Sequence, residues 1–170
     1  MNFFFNIKEI KSTFLKVENF YCILLTIIIF IFDRITKIKI MQDYNENAFY
    51  VNQFINIDLT WNIGIGFGLL STDTIAFYNL ITVLIATIII ILLYFVIISK
   101  NFDKFIYSII IGGAVGNFYD RLVYNAVPDF IDLHYNHFHW FTFNVADVFI
   151  VIGILIFLLR ELLSNQNQDD

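Results

Sequence analysis

Residues 112–147 read GGAVGNFYDRLVYNAVPDFIDLHYNHFHWFTFNVAD, a polar passage set between two apolar runs. It carries Asp120, Asp129, Asp132 and Asp147, together with Arg121, Asn117, Asn144 and the only proline of the chain, Pro128. Ionisable groups wedged between greasy segments are costly, so their presence marks a place where the protein uses them. The fold follows from asking what solvent surrounds the two flanking runs.

That solvent is a bilayer. Of 170 residues 59% are hydrophobic and only 15% are charged, with a mean hydropathy of +0.74. An ordinary soluble domain is about 25% charged, and no soluble fold of this length hides so much apolar surface. The net charge of −5 has no basic patch within it, which sets nucleic-acid binding aside. A single cysteine, Cys22, lies in an apolar run, where it packs; it excludes an internal disulfide and a cysteine-based metal cluster.

Outward from that passage, four spans are expected, at about 20–40, 74–99, 105–122 and 143–163. The first has an uncharged part of only 13 residues, Phe20 to Phe32, so it must run on through Asp33 and Lys37 to reach the ~20 residues a bilayer needs. Asp33, Thr36 and Lys37 share one helical face, which therefore points away from lipid. The second span holds no formal charge. The third carries Gly112, Gly113, Ala114 and Gly116, small residues that let helices approach closely in lipid. Residues 1–19 form a basic segment with Lys8, Lys11 and Lys16, able to lie on a membrane surface, and not a cleavable signal peptide. Residues 164–170 form a polar tail.

Between the first two spans Ile55, Ile57, Leu59 and Trp61 alternate with Asn56, Asp58 and Thr60, the pattern of a half-buried strand. NIGIGFG at 62–68 follows, with glycines at alternate positions that allow close backbone approach. It lacks the lysine and serine of a phosphate loop. The expected fold is an all-α membrane protein, a four-helix bundle with a small β-containing cradle outside the membrane between helices 1 and 2, forming one domain over 20–163.

Lysine and arginine set the orientation. They gather in the N-terminal segment, at Lys100 and Lys104, and at Arg160, whereas residues 41–73 and 122–146 have none; Arg34, Lys37 and Lys39 count against this pattern, but Arg34 and Lys37 belong to the motif face. Both termini then lie in the cytoplasm and both long loops outside. Asp33, Asp120, Asp129 and Asp147 converge at the outer end of the bundle. Two carboxylates brought together in a low dielectric share one proton. That pair suits hydrolysis of a peptide: the ionised partner takes a proton from water and the protonated partner donates to the carbonyl oxygen. No HExxH, no GxSxG and no cysteine beside a histidine offers another nucleophile or a metal, and no cofactor is expected. From position alone, Asp120 competes with Asp129 and Asp147 for membership of the pair.

The chain resembles the lipoprotein signal peptidases (signal peptidase II), aspartic peptidases of bacterial inner membranes. The resemblance lies in DRITK at 33–37, NIGIGFG at 62–68, GGAVGNFYDR at 112–121, VPDFI at 127–131 and FNVAD at 143–147, in family order. It implies that Asp129 and Asp147 are the catalytic dyad, and that Asn117, Arg121 and Asn144 position substrate or dyad. It also implies that Asn62 and Gly64 belong to the outer cradle and that Asp33, Lys37 and Asp120 support the site. It further implies cleavage of diacylglyceryl-modified prolipoproteins amino-terminal to the lipidated cysteine, at the periplasmic face; the expected partners are these prolipoproteins and membrane lipids, and the expected state is a monomer. Gly66 stands where the family usually has alanine, and Pro128 where it commonly has valine.

Other features have plainer readings. Asp132 reads as loop polarity. His134, His137 and His139, interleaved with Tyr135, Phe138, Trp140 and Phe141, read as an interfacial loop and not as metal ligands, and Trp61 and Trp140 as interfacial anchors. A carboxylate-dependent transporter would place its acids near the midplane of broken, repeated helices. Here they gather at one end and no repeat is visible. An inactive scaffold of the same fold is the remaining alternative.

Overall fold

The computed structural model describes residues 16–43, 48–64, 75–99, 102–136 and 138–166. Most of the N-terminal basic segment, Gly66 and Gly68, Lys100, His137 and the end of the polar tail lie outside the described residues. Within them the chain runs α1 (Val17–Asp43), β1 (Phe49–Asn52), β2 (Ile55–Asn62), α2 (Ile75–Ile98), α3 (Asp103–Tyr124), β3 (Val127–Tyr135), β4 (Phe138–Phe143) and α4 (Val145–Gln166). The four helices coincide with the expected spans, each within a few residues. Among the described residues one of them, α2, is by itself long and apolar enough to cross a membrane. The others carry the charges that make up the site.

The bundle is inside out. Asp33, Lys37 and Asp120 have no exposed surface, while Phe20, Ile28 and Ile35 of α1, Leu80 and Ile90 of α2, and Leu155 and Leu159 of α4 are exposed. Water would drive the opposite arrangement. Helix α3 lies at the centre, packed against α1, α2 and α4. Its glycines decide how near the neighbours come. A Cβ on Gly112 would lie 2.8 Å from Ile29 Cβ of α1, and one on Gly116 would meet the Asp33 carboxylate. A Cβ on Gly113 would collide with the carbonyl oxygen of Ala146, in the first turn of α4. On Gly153 it would meet a side-chain atom, Ile110 Cγ1, and not backbone at that range. Gly113→Ala is therefore expected to cost about 1–3 kcal/mol and to lower activity, and Gly153→Ala markedly less. Thermal unfolding of both variants in detergent checks the order.

The strands correct the sequence reading in one respect. The cradle is a four-stranded antiparallel sheet in the order β1-β2-β3-β4, and β3 and β4 come from the loop between the last two helices. The protein is thus not all-α, and its sheet does not belong to the first loop alone. Strand β3 is buried along most of both faces, so it shows no clean alternation of apolar and polar residues. Pairing of β2 with β3 sets Thr60 opposite Asp129 and Asn62 opposite Val127, fastening the two outer loops together. Pro128 sits second in β3, opposite Trp61, near the strand start where a missing N–H is tolerated. Helix α3 stops at Asn125, which takes the left-handed conformation (φ 55°) that asparagine accepts at a helix end.

Candidate active site

Asn144 immediately precedes the first residue of α4. Its Oδ1 accepts a hydrogen bond from Asp147 N at 3.1 Å, and Asp147 Oδ2 accepts one from Asn144 N at 3.1 Å. This reciprocal pair is a capping box written with asparagine and aspartate. It fixes Asp147 at the helix N-terminus, where the helix dipole favours negative charge. Asn144 Nδ2 then donates to Asp129 Oδ1 at 2.6 Å, so a single residue holds both acids, one by its side chain and one by its backbone.

Two further asparagines complete the cradle. Asn62 Nδ2 donates to Asp129 Oδ2 at 2.8 Å, and Asn117 Nδ2 donates to Asp147 Oδ1 at 2.8 Å. In each of the three amides the oxygen is occupied by a group that can only donate. Asn62 Oδ1 accepts from Gly64 N at 2.8 Å, Asn117 Oδ1 from Lys37 Nζ at 2.8 Å, and Asn144 Oδ1 from Asp147 N. An ammonium or a backbone N–H has no lone pair to offer, so none of these amides can turn over without setting donor against donor. Their NH₂ groups are held on the carboxylates.

Behind the amides lies a buried quartet of charges. Lys37 Nζ reaches Asp33 Oδ2 at 2.9 Å, Asp120 Oδ2 at 2.7 Å and Asn117 Oδ1, one acceptor for each of its three protons. Arg34 pairs with Asp120 Oδ1 at 2.6 Å and lies over the Tyr119 ring. Two acids and two bases therefore balance, as buried ions must. Asp33 does more than pair: its Oδ1 accepts from Ala146 N at 3.1 Å, so α1 caps the helix that carries Asp147. Gly116 leaves the room this carboxylate fills.

Arg121, buried at the end of α3, donates to Gly64 O, and its guanidinium lies over the Tyr78 ring while Tyr78 Oη donates to Arg121 O at 3.0 Å. The sequence did not reveal Tyr78, which nothing in the sequence sets apart from Asn79, Thr82, Thr87 and Tyr94 of the same apolar helix, yet which is the one of them that is buried. Gly64 is thereby gripped from both sides, by Asn62 and by Arg121. All ten residues expected at the site thus belong to one connected network, in which Asp120 faces Lys37 and Arg34 and not the dyad.

Asp132 is not loop polarity. It is buried on β3, and His139 Nδ1 lies 2.7 Å from its Oδ2. His134 is buried as well, unlike a residue of an interfacial loop, and stacks on His139, which itself stays exposed.

Burial, and then the charge of Asp147, push Asp129 up from 3.8 to about 7, against the pull of Asn62 and Asn144. Near neutral pH Asp129 can therefore still hold a proton and so serve as the acid of the pair. The arrangement offers an acid and a base held by one residue, Asn144.

A family model described as signal peptidase (SPase) II matches residues 25–163. The lipoprotein signal peptidase of Pelagibacter ubique (strain HTCC1062) is 46% identical over 158 residues, 91% of this chain and 95% of that protein. The lipoprotein signal peptidase of Anaplasma phagocytophilum (strain HZ) is 42% identical over 132 residues, 76% of this chain and 84% of that protein. A solved bacterial membrane enzyme superposes with a TM-score of 0.73 at 32% identity, covering 86% of this chain and 90% of its own.

Proposed function

This chain belongs to the signal peptidase II family, membrane aspartic peptidases that remove signal peptides from prolipoproteins, and we propose that Asp129 and Asp147 are the residues that do the cutting. The observation that carries this is Asn144, which holds one carboxyl with its side chain and the other with its backbone. Asp147 takes a proton from water as the oxygen attacks the scissile carbonyl, and Asp129 gives its proton to the carbonyl oxygen. As the tetrahedral adduct collapses, a proton passes to the leaving nitrogen. Asn62, Asn117 and Asn144 orient the acids; Asp33, Lys37 and Asp120 fix Asn117 and the start of α4; Arg121 and Gly64 tie the cradle to α3.

The four helices span the bacterial inner membrane, with both termini in the cytoplasm and the sheet and dyad at the periplasmic face. The exposed apolar faces and the buried charges of α1, α3 and α4 support four spans, and the placement of lysines supports the orientation. Residues 20–163 act as one domain, as a monomer in contact with lipid. The substrate is a diacylglyceryl-modified prolipoprotein cut amino-terminal to its lipidated cysteine. A site at the membrane surface suits it, because the lipid stays in the bilayer while the bond to be cut reaches the headgroups.

Purified protein in detergent, mixed with such a prolipoprotein, is expected to release the signal peptide on a gel, with or without EDTA. Failure to cleave by well-folded protein, or loss of cleavage on adding EDTA, would refute the proposal. The rate should also depend on pH in a stated direction. Asp129 has its folded value raised above 3.8. The folded state thus keeps a proton that the unfolded chain gives up, and the associated stability is full below pH ~4 and lost as pH rises through ~7. Cleavage should fall about tenfold per pH unit above that value as the acid is lost, whereas the melting temperature should decline between pH ~4 and ~7 and level off above it. Asp129→Asn should flatten the decline in melting temperature.

A further inference from the structure

Helix α2 buries three side chains among the described residues, Tyr78, Ile81 and Ile89. Its Thr82 and Thr87 turn their hydroxyls back onto carbonyls of their own helix, whereas the phenol of Tyr78, in the first turn, reaches α3. The Tyr78 hydroxyl donates to Arg121 O at 3.0 Å, and the ring centroid lies 5.4 Å from Arg121 Cζ. Arg121 is 3% exposed and forms no ion pair among the described residues, and its Nε and Nη1 have no hydrogen-bond partner. A buried cation is ordinarily paired with a carboxylate. Here the negative face of the Tyr78 ring and the Gly64 carbonyl take that place.

Gly64 carries the connection inward. Its carbonyl accepts from Arg121, its N–H donates to Asn62 Oδ1 at 2.8 Å, and Asn62 Nδ2 donates to Asp129 Oδ2 at 2.8 Å. Four contacts therefore join the outer end of α2 to the acid. We infer that Tyr78 is a positioning residue for Asp129, acting through Arg121, Gly64 and Asn62. The inference rests on the peptidase reading above. The phenol does no chemistry of its own, since its hydroxyl is bonded to Arg121 O. It fixes the end of α3 with its hydroxyl and the guanidinium with its ring, and the guanidinium sets where Gly64 and the Asn62 amide stand. Loss of the hydroxyl releases the Arg121 carbonyl, lets the guanidinium and Gly64 shift together, and loosens the Asn62 bond. That bond draws Asp129 downward against its burial, so loosening it raises the acid further. The charges facing Asp129, Asp147 from α4 and Lys37 from α1, lie off this path.

The test is the pH profile of prolipoprotein cleavage by the wild type, Tyr78→Phe and Tyr94→Phe, the last altering an exposed tyrosine of the same helix. Tyr78→Phe should lower kcat and kcat/KM together by about tenfold. It should also move the alkaline fall of cleavage upward by roughly half a pH unit, as weakening of one hydrogen bond to the acid requires. Tyr94→Phe should match the wild type in both respects. Asn62→Ala breaks the same path nearer the acid, so adding Tyr78→Phe to it should change little more. Added to Asn117→Ala, which loosens Asp147 instead, Tyr78→Phe should multiply the two losses. Should Tyr78→Phe fold poorly, Tyr78→Met fills the same space without a hydroxyl, and the same upward shift is expected of it. A profile left in place by every folded Tyr78 variant, the mark of a tyrosine that only packs, would overturn the inference alone. Losses that multiply with Asn62→Ala would do the same. Absence of cleavage by the wild type would overturn the peptidase reading and the inference with it.

Discussion

Asp129→Asn and Asp147→Asn each lower prolipoprotein cleavage by about 10³-fold or more, while the protein still inserts and purifies. Asparagine keeps the shape of aspartate but can neither take a proton from water nor hand one to a carbonyl oxygen. The structural cost is confined to one hydrogen bond in each variant. Asp147 accepts from Asn117 Nδ2 and from Asn144 N, and an amide in its place can accept only one of these. Asp129 accepts from Asn62 Nδ2 and Asn144 Nδ2, with the same consequence. Each mismatch is worth about 1–3 kcal/mol. For Asp129 it is offset above pH 7 by removal of a charge that burial disfavours. Single-turnover cleavage, read beside thermal unfolding, separates lost chemistry from lost fold. Retention of even a tenth of the wild-type rate by either variant would mean that the dyad is elsewhere.

Much of this site could be read from residue order, and the part that could not has a physical reason. Asp33 and Lys37 declare themselves because charge on a spanning helix needs a partner, and Asp129 and Asp147 because their motifs resemble the family's. What sequence does not carry is which way an amide points. Asn62, Asn117 and Asn144 look alike as letters. Their role comes from the donor behind each oxygen, and those donors arrive from Gly64, from Lys37 80 residues away and from the capping box. Strand β3 escaped because its faces are both covered, so the period-two signal that revealed β2 is absent. Asp132 and His134 escaped for the same reason: a polar residue in a long loop looks solvated until the loop proves to be a buried strand.

Lys37→Met is the other large effect, and it divides stability from catalysis. The ammonium is fully buried and satisfies Asp33, Asp120 and Asn117 at once. Removing it leaves two buried acids with one remaining base, Arg34, a state that costs about 3–5 kcal/mol. For a chain of this size that is a fall of about 10 °C in melting temperature. It also frees Asn117 Oδ1, so the amide that steadies Asp147 can turn over. Adding Asp33→Asn should restore the charge balance: Arg34 and Asp120 remain paired at 2.6 Å, and the new amide oxygen can still accept from Ala146 N. The double variant is therefore expected to recover most of the lost melting temperature, a strong non-additivity of the kind seen within one charge network. Its cleavage rate should stay low, because nothing returns to hold the Asn117 oxygen. Recovery of both together would show that Lys37 serves only to neutralise charge. Recovery of neither would show that the quartet is held by contacts other than its charge balance.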